Sequence, residues 1–176
     1  MNQQVAGTDR NRRFARLCEP LRADLYRFAF WLSRDPQIAD DVVQETMLRA
    51  WKSLDRLQED SAAKQWLLTI ARREHARLYE RKRLVTVDLD EVVVDDSSAL
   101  AVSHDRDTEL DEVRQAIFEL DDDYREPLVL QVLMGYSTQE IAEHMNLNTG
   151  AVLTRLFRAR NKLRKQLGLA GDDAED

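Results

Sequence analysis

The residues best placed to do chemistry in this chain are two clusters of cations. Between positions 64 and 83, seven basic side chains (Lys64, Arg72, Arg73, Arg77, Arg81, Lys82, Arg83) face only Glu74 and Glu80, and between 151 and 169 six (Arg155, Arg158, Arg160, Lys162, Arg164, Lys165) face no acid at all. Such clusters suit a polyanion, which is bound by transferring its phosphates from counterions to Lys and Arg. The acids offer less. Asp40 and Asp41 are adjacent and so diverge on a helix, which weakens a nuclease-like metal site built from them with Glu45, and His75, His104 and His144 are scattered. Tyr79 and Tyr124 have no base at a useful spacing. Cys18 is the only cysteine, so the chain can form neither an intramolecular disulfide nor a cysteine-based zinc site, and its apolar helical surroundings suit a half-buried packing thiol. Catalysis, a cofactor, a bound metal and a small-molecule substrate are therefore not expected.

The elements that must position the cations read as helices throughout. With 5 Gly and 3 Pro in 176 residues and 43% apolar content, Leu, Ala, Arg, Glu and Asp alternate at three- and four-residue intervals, and the expected fold class is all-α. A net charge of −7 conceals a basic, acidic, basic order. Residues 84–110 hold only Arg106 against Asp88, Asp90, Glu91, Asp95, Asp96, Asp105, Asp107 and Glu109, the composition of a solvated linker. No apolar run is long enough to span a bilayer and the polar start lacks the core of a signal peptide, so a cytoplasmic protein without membrane insertion is expected.

The boundaries follow. Residues 1–13 read as a disordered tail. Helical spacing runs from Phe14 through Leu17, Leu21, Leu25, Phe28 and Leu32 to Asp35-Pro36, where Asp35 suits a cap and Pro36 a first turn. A second helix is expected from Pro36 to about Leu57, burying Val42, Val43, Met47 and Ala50, and a third from Lys64 to Arg83 with Trp66, Leu67, Ile70, Ala71 and Leu78 inward. Three packed helices over 14–84 form the expected first domain. Residues 85–108 form a flexible acidic linker, 109–169 a second helical domain with Leu110, Val113, Ile117 and Leu120 in its first apolar pattern, and 170–176 an acidic tail.

Within the second domain, Gly135 to Val152 reads as a helix-turn-helix. Ser137 or Thr138 caps a short helix with Glu140 reaching back, Asn146 breaks it, and Asn148 or Thr149 caps the next. That next helix places Val152, Leu156 and Leu163 on one face and the basic run on another, which suits a major groove. A water-facing basic helix in an ordinary bundle has the same pattern.

Three further stretches carry a resemblance that extends from Phe14 to Leu167. The run from Ala39 to Trp51, containing Asp40-Asp41-Val42-Val43-Gln44-Glu45, resembles the core-binding helix of extracytoplasmic-function sigma factors; Trp66-Leu67-Leu68-Thr69-Ile70-Ala71-Arg72 resembles their promoter-melting helix; and Gly150-Ala151-Val152 through Arg160 is similar to their recognition helix. The resemblance implies core RNA polymerase and promoter DNA as partners, and an anti-sigma factor that holds the protein off until a stress or envelope signal. It implies that Asp40, Asp41, Gln44, Glu45 and Arg49 meet core polymerase. Lys64, Arg72, Arg73, Arg77, Arg81 and Arg83 would meet the opened minus-10 strand, with residues 58–64 as the rim of a base pocket. Thr149, Thr154, Arg155, Phe157 and Arg158 would meet the minus-35 duplex. Arg73 and Arg77 stand where the family usually has Asn and Asp, and Leu153 stands where a basic residue is frequent. A plain helix-turn-helix repressor or activator is the rival reading; it leaves the first domain without a task, and neither a heptad seam nor an effector pocket is evident.

Overall fold

The computed structural model describes the backbone of residues 2–87 and 108–169, and the side chains of 8–81 and 110–169. The chain divides into two compact units, Met1–Ala99 and Leu100–Asp176. Among the described residues every regular element is helical, as the composition predicts.

The first unit holds α1 (Asn2–Leu17), α2 (Arg22–Ser33), α3 (Pro36–Ser53) and α4 (Ala63–Val87). A single 3-10 turn, Glu19–Leu21, separates α1 from α2, because Pro20 lacks the N–H that a continuous helix would need there. Asp35 caps α3 as expected: its Oδ1 accepts from the backbone N–H of Gln37 at 2.7 Å and of Ile38 at 3.1 Å, with Pro36 in the first turn. Helix α3 stops at Ser53 rather than near Leu57, and Leu54–Arg56 tighten into a 3-10 turn that still buries Leu54 and Leu57. Leu25, Phe28, Leu32, Val42, Val43, Leu67 and Leu68 make the core, and Ala29, Ala39, Ala50 and Ala71, all buried, provide small contact surfaces between the helices. Trp66, Ile70 and Leu78, expected inward, are only half-buried.

Residues 2–13 are corrected. Expected as a disordered tail, they form most of α1, and the described part of the first unit has four α-helices instead of three. No apolar stripe announces this helix before Phe14. Polar contacts hold it, because Arg10, Arg13 and Arg16 reach the chain between Trp51 and Asp60.

The second unit holds α5 (Thr108–Phe118), α6 (Asp122–Val132), α7 (Thr138–Met145) and α8 (Thr149–Gln166). Its core gathers Phe118, Leu120, Leu128, Val129, Leu130, Ile141, Met145, Val152 and Leu156, whereas Leu110 and Val113 lie exposed on the first helix. Arg125 is 2% exposed and donates through Nη1 to the carbonyls of Phe118 (3.0 Å) and Leu120 (2.8 Å), while Nη2 meets Asp122. A buried guanidinium thus ties the α5–α6 turn by satisfying carbonyls that the end of α5 leaves open. The expected acidic linker, apart from the helix continuing to Val87, and the acidic tail lie outside the described residues.

Candidate nucleic-acid interface

The α7–α8 pair is built by its caps. Ser137 Oγ accepts from the Glu140 N–H at 3.3 Å while Glu140 Oε2 accepts from the Ser137 N–H at 2.8 Å, a complete capping box that fixes where α7 begins. The Ser137 hydroxyl, which donates to Glu140 Oε2 at 2.7 Å, and behind it the Ser137 N–H hold the Glu140 carboxyl below its usual range. Gly135, at φ +73°, makes the preceding turn, and Asn146, at φ +54°, ends α7 in the left-handed region that few other side chains enter. Asn148 Oδ1 then accepts from the Ala151 N–H at 2.7 Å and starts α8. The turn is short and fully bonded, which sets the angle at which α8 leaves.

Helix α8 is sharply two-sided. Val152, Leu156 and Ala159, spaced four and three apart, are buried, and on the opposite side Thr149, Leu153, Thr154, Phe157 and Arg158 all face water. Phe157 is 63% exposed and Leu153 55%, an apolar outlay on a basic helix that suits contact with base edges and thymine methyls better than solvent. Thr154 Oγ1 donates back to the Gly150 carbonyl at 2.9 Å, which leaves its methyl and lone pairs outward. Of the expected minus-35 residues only Arg155 is half-buried, paired with Asp123 at 3.0 Å. Further along, Lys162 binds Asp121 at 2.7 Å and lies 4.7 Å from the Tyr124 ring centre, and Arg160 donates to Gln131. The hydrogen bond with Asp121 raises the Lys162 pKa, and the same bond lowers that of Asp121.

In the first unit the expected core-binding and minus-10 residues lie on neighbouring helices. Asp40, Asp41 and Gln44 are exposed on α3. Glu45 and Arg49 pair along the same helix at 2.9 Å, and Arg49 Nε also meets Glu74 of α4 at 2.8 Å. Arg77 meets the same Glu74 oxygen at 3.1 Å. Glu74, 4% exposed, therefore joins one residue from each expected site, a connection the sequence does not announce. Lys64 pairs with Asp24 at 3.3 Å, Arg72 is half-buried, and Arg73 and Arg81 are exposed. The side chain of Arg83 lies outside the described residues. Cys18 is fully buried, more deeply than expected, and burial foremost, with the charge of Glu19 behind it, pushes its thiol up to about 11. Among the described residues no three His, Cys, Asp or Glu side chains are grouped to hold a metal, and no helix is long and apolar enough to cross a membrane.

Comparison with known proteins gives the two units a shared identity. Residues 17–84 match the family model described as Sigma-70 region 2, and residues 110–163 match Sigma-70, region 4. The chain is 35% identical over 154 residues to the ECF RNA polymerase sigma factor EcfG of Rhodopseudomonas palustris, an alignment covering 86% of this chain and 82% of that one. Among solved structures it is similar to the sigma factor RpoE of Bartonella quintana, determined in complex with the anti-sigma factor NepR, at a TM-score of 0.75 and 30% identity over 89% of this chain and 99% of that one. It is also similar to CnrH, determined with the cytosolic domain of CnrY, at a TM-score of 0.64 and 27% identity over 89% of this chain and 88% of that one. Two helical units, one with a capped helix-turn-helix and both matching regions of one family in order, identify the chain as an extracytoplasmic-function RNA polymerase sigma factor of the sigma-70 family.

Proposed function

We propose that the two units divide promoter recognition between them. Residues 109–169 read the minus-35 element as duplex through Thr149, Thr154, Arg155, Phe157 and Arg158. Residues 14–84 bind core polymerase through Asp40, Asp41, Gln44, Glu45 and Arg49 and hold the opened minus-10 strand through Lys64, Arg72, Arg73, Arg77, Arg81 and Arg83, with 58–64 as the rim of a base pocket. The protein itself catalyses no reaction; it acts in the cytoplasm, where it gives polymerase its choice of start site. The acidic stretch 85–108 tethers the two activities.

The observation that carries this reading is the two-sided α8, whose buried stripe of Val152, Leu156 and Ala159 is seated on the unit while Leu153, Phe157 and Arg158 stand outward. Apolar and cationic groups mixed on one exposed helical face fit the major groove, which offers both methyls and acceptors. Regulation by an anti-sigma factor is supported by the complex with the anti-sigma factor NepR in which the neighbour RpoE was determined, and a stress or envelope response is the setting that the family resemblance implies.

The test mixes the purified chain with core polymerase lacking any sigma subunit and follows initiation on a pool of genomic fragments. Specific starts that depend on the chain are expected, with shared sequence near minus 35 and minus 10. Duplex binding without any complex with core would overturn the reading in favour of a repressor or activator.

A further inference from the structure

We propose that α1 is a clamp that shapes the loop between α3 and α4, making Arg13 and Asp60 positioning residues for selection of the opened minus-10 strand. This rests on the reading that residues 58–64 rim the base pocket.

The loop has little of its own to define it. Gln58, Glu59, Asp60 and Ser61 are exposed, and the local backbone bonds are those of two isolated 3-10 turns, Leu57 N–H to the Leu54 carbonyl and Ala62 N–H to the Glu59 carbonyl, both at 3.1 Å. Between buried Leu57 and buried Ala63 this exposed middle has few apolar contacts, and such segments open easily and sample many shapes. Its definition comes from α1. Arg13 Nη2 donates to the Leu57 carbonyl at 2.7 Å and to Asp60 Oδ1 at 2.8 Å, Arg13 Nε donates to the same oxygen at 3.1 Å, and Arg16 Nη2 donates to Asp60 Oδ2 at 2.7 Å. Both oxygens of Asp60 are thus occupied by guanidinium groups from one helix.

One turn earlier on α1, Arg10 grips the end of α3. Its Nε and Nη2 donate to the Trp51 carbonyl at 3.2 and 2.8 Å, Nη2 reaches the Lys52 carbonyl at 2.9 Å, and Nη1 pairs with Asp55 at 3.2 Å. These carbonyls belong to the last turn of α3, where intrahelical donors run out and the helix dipole is negative. The guanidinium also lies 5.0 Å from the Trp51 ring centre, and Trp51 Nε1 donates to Asn11 Oδ1 at 3.1 Å. Arginines at positions 10, 13 and 16 therefore fix the end of a helix, the entrance of the loop and its middle. The planar fork of arginine is what allows Arg10 and Arg13 each to bond more than once, while Arg16 adds a single bond to Asp60.

Two consequences bear on an incoming strand. The loop is ordered before the strand arrives, so the entropy of ordering it is not subtracted when a base is captured. The carboxylate of Asp60 is neutralised by two cations, so of the loop's adjacent acids, Glu59 and Asp60, the second does not confront the phosphates as an unpaired charge.

The test uses the full chain assembled with core polymerase on templates randomised across the minus-10 element, with the base distribution of productive starts as the readout. Arg13→Lys and Asp60→Asn are expected to flatten the minus-10 preference by about three- to ten-fold, the effect of losing bidentate, charge-assisted bonds at a half-exposed site, while leaving minus-35 preference unchanged. Asp60→Glu, which still offers two oxygens to the arginines, should retain most of the preference. Tryptophan fluorescence confirms that each variant remains folded. A selective wild type with equally selective Arg13→Lys and Asp60→Asn overturns the clamp alone; a wild type with no minus-10 preference overturns the base-pocket reading and the clamp with it.

Discussion

Replacing Glu74 with Gln should destabilise the first unit and weaken two expected contacts at once. The carboxylate is 4% exposed and holds Arg49 at 2.8 Å and Arg77 at 3.1 Å on a single oxygen. A charge-assisted hydrogen bond contributes about 1.5–3 kcal/mol, but the side chains of Arg49 and Arg77 are themselves 39% and 50% exposed, so water screens a large part of each. A neutral amide of the same size also costs less to bury than a carboxylate. The net loss works out to about 1–2 kcal/mol, a fall in the urea midpoint of about 1 M for a unit of this size. All three tryptophans, Trp31, Trp51 and Trp66, lie in the first unit, so fluorescence follows its unfolding without interference from the second. Glu74→Leu separates stability from charge: if the ion pair serves only to fill the site, Leu should be as stable as the wild type or more so. The same variant should still bind core polymerase and open promoters less well, because Arg49 and Arg77 lose the group that holds them in register. An unchanged midpoint in Glu74→Gln, with full opening by both variants, would refute the claim that this carboxylate organises the two helices.

On the second unit, Arg158→Ala should weaken minus-35 duplex binding by about 1–3 kcal/mol in a fluorescence titration, whereas Arg72→Ala should chiefly slow promoter opening, read by permanganate footprinting; equal losses in both assays for both variants would contradict the division of labour. Ser137→Ala removes one half of the capping box and should lower the stability of the second unit by about 1 kcal/mol, measured by its thermal midpoint in circular dichroism. The buried thiol of Cys18, pushed up from 9.0 to about 11, favours the protonated folded state. Because the folded pKa exceeds the unfolded one, that contribution is complete below pH 9 and fades as pH climbs towards 11. Native protein at pH 8 should therefore resist a thiol reagent that labels it promptly in urea, and rapid labelling of the folded chain would overturn this account.

Helix ends were the most legible part of the sequence, because a cap is a local device. Asp35-Pro36, Ser137 with Glu140, Asn146 and Asn148 each act within four residues, and each ends or begins a helix where its chemistry requires. The missed features depend on partners far along the chain. Residues 2–13 lack an apolar stripe, and α1 is held by arginines that bond to residues 41 to 47 positions away. Glu74 reads as one of two acids in a basic run until folding sets α3 beside α4, and nothing in the sequence sets Arg125 apart before the α5–α6 turn closes over it. Long-range polar contacts leave no periodic trace, so charge patterns alone cannot announce them.

A chain of net charge −7 can still address DNA because its cations are clustered, and the acids around α8 modulate two of them. Arg155 and Lys162 do not face water alone; they rest on Asp123 and Asp121 from the first turn of α6 and its cap. Both carboxylates are largely exposed, so these pairs exchange readily, and a phosphate can take the place of a carboxylate without uncovering a buried charge. Each exchange returns an acid to solvent as it neutralises a phosphate, so Arg155 and Lys162 would add less to phosphate binding than unpaired cations, and on the proposed reading Phe157 and Arg158 are left to distinguish one sequence from another.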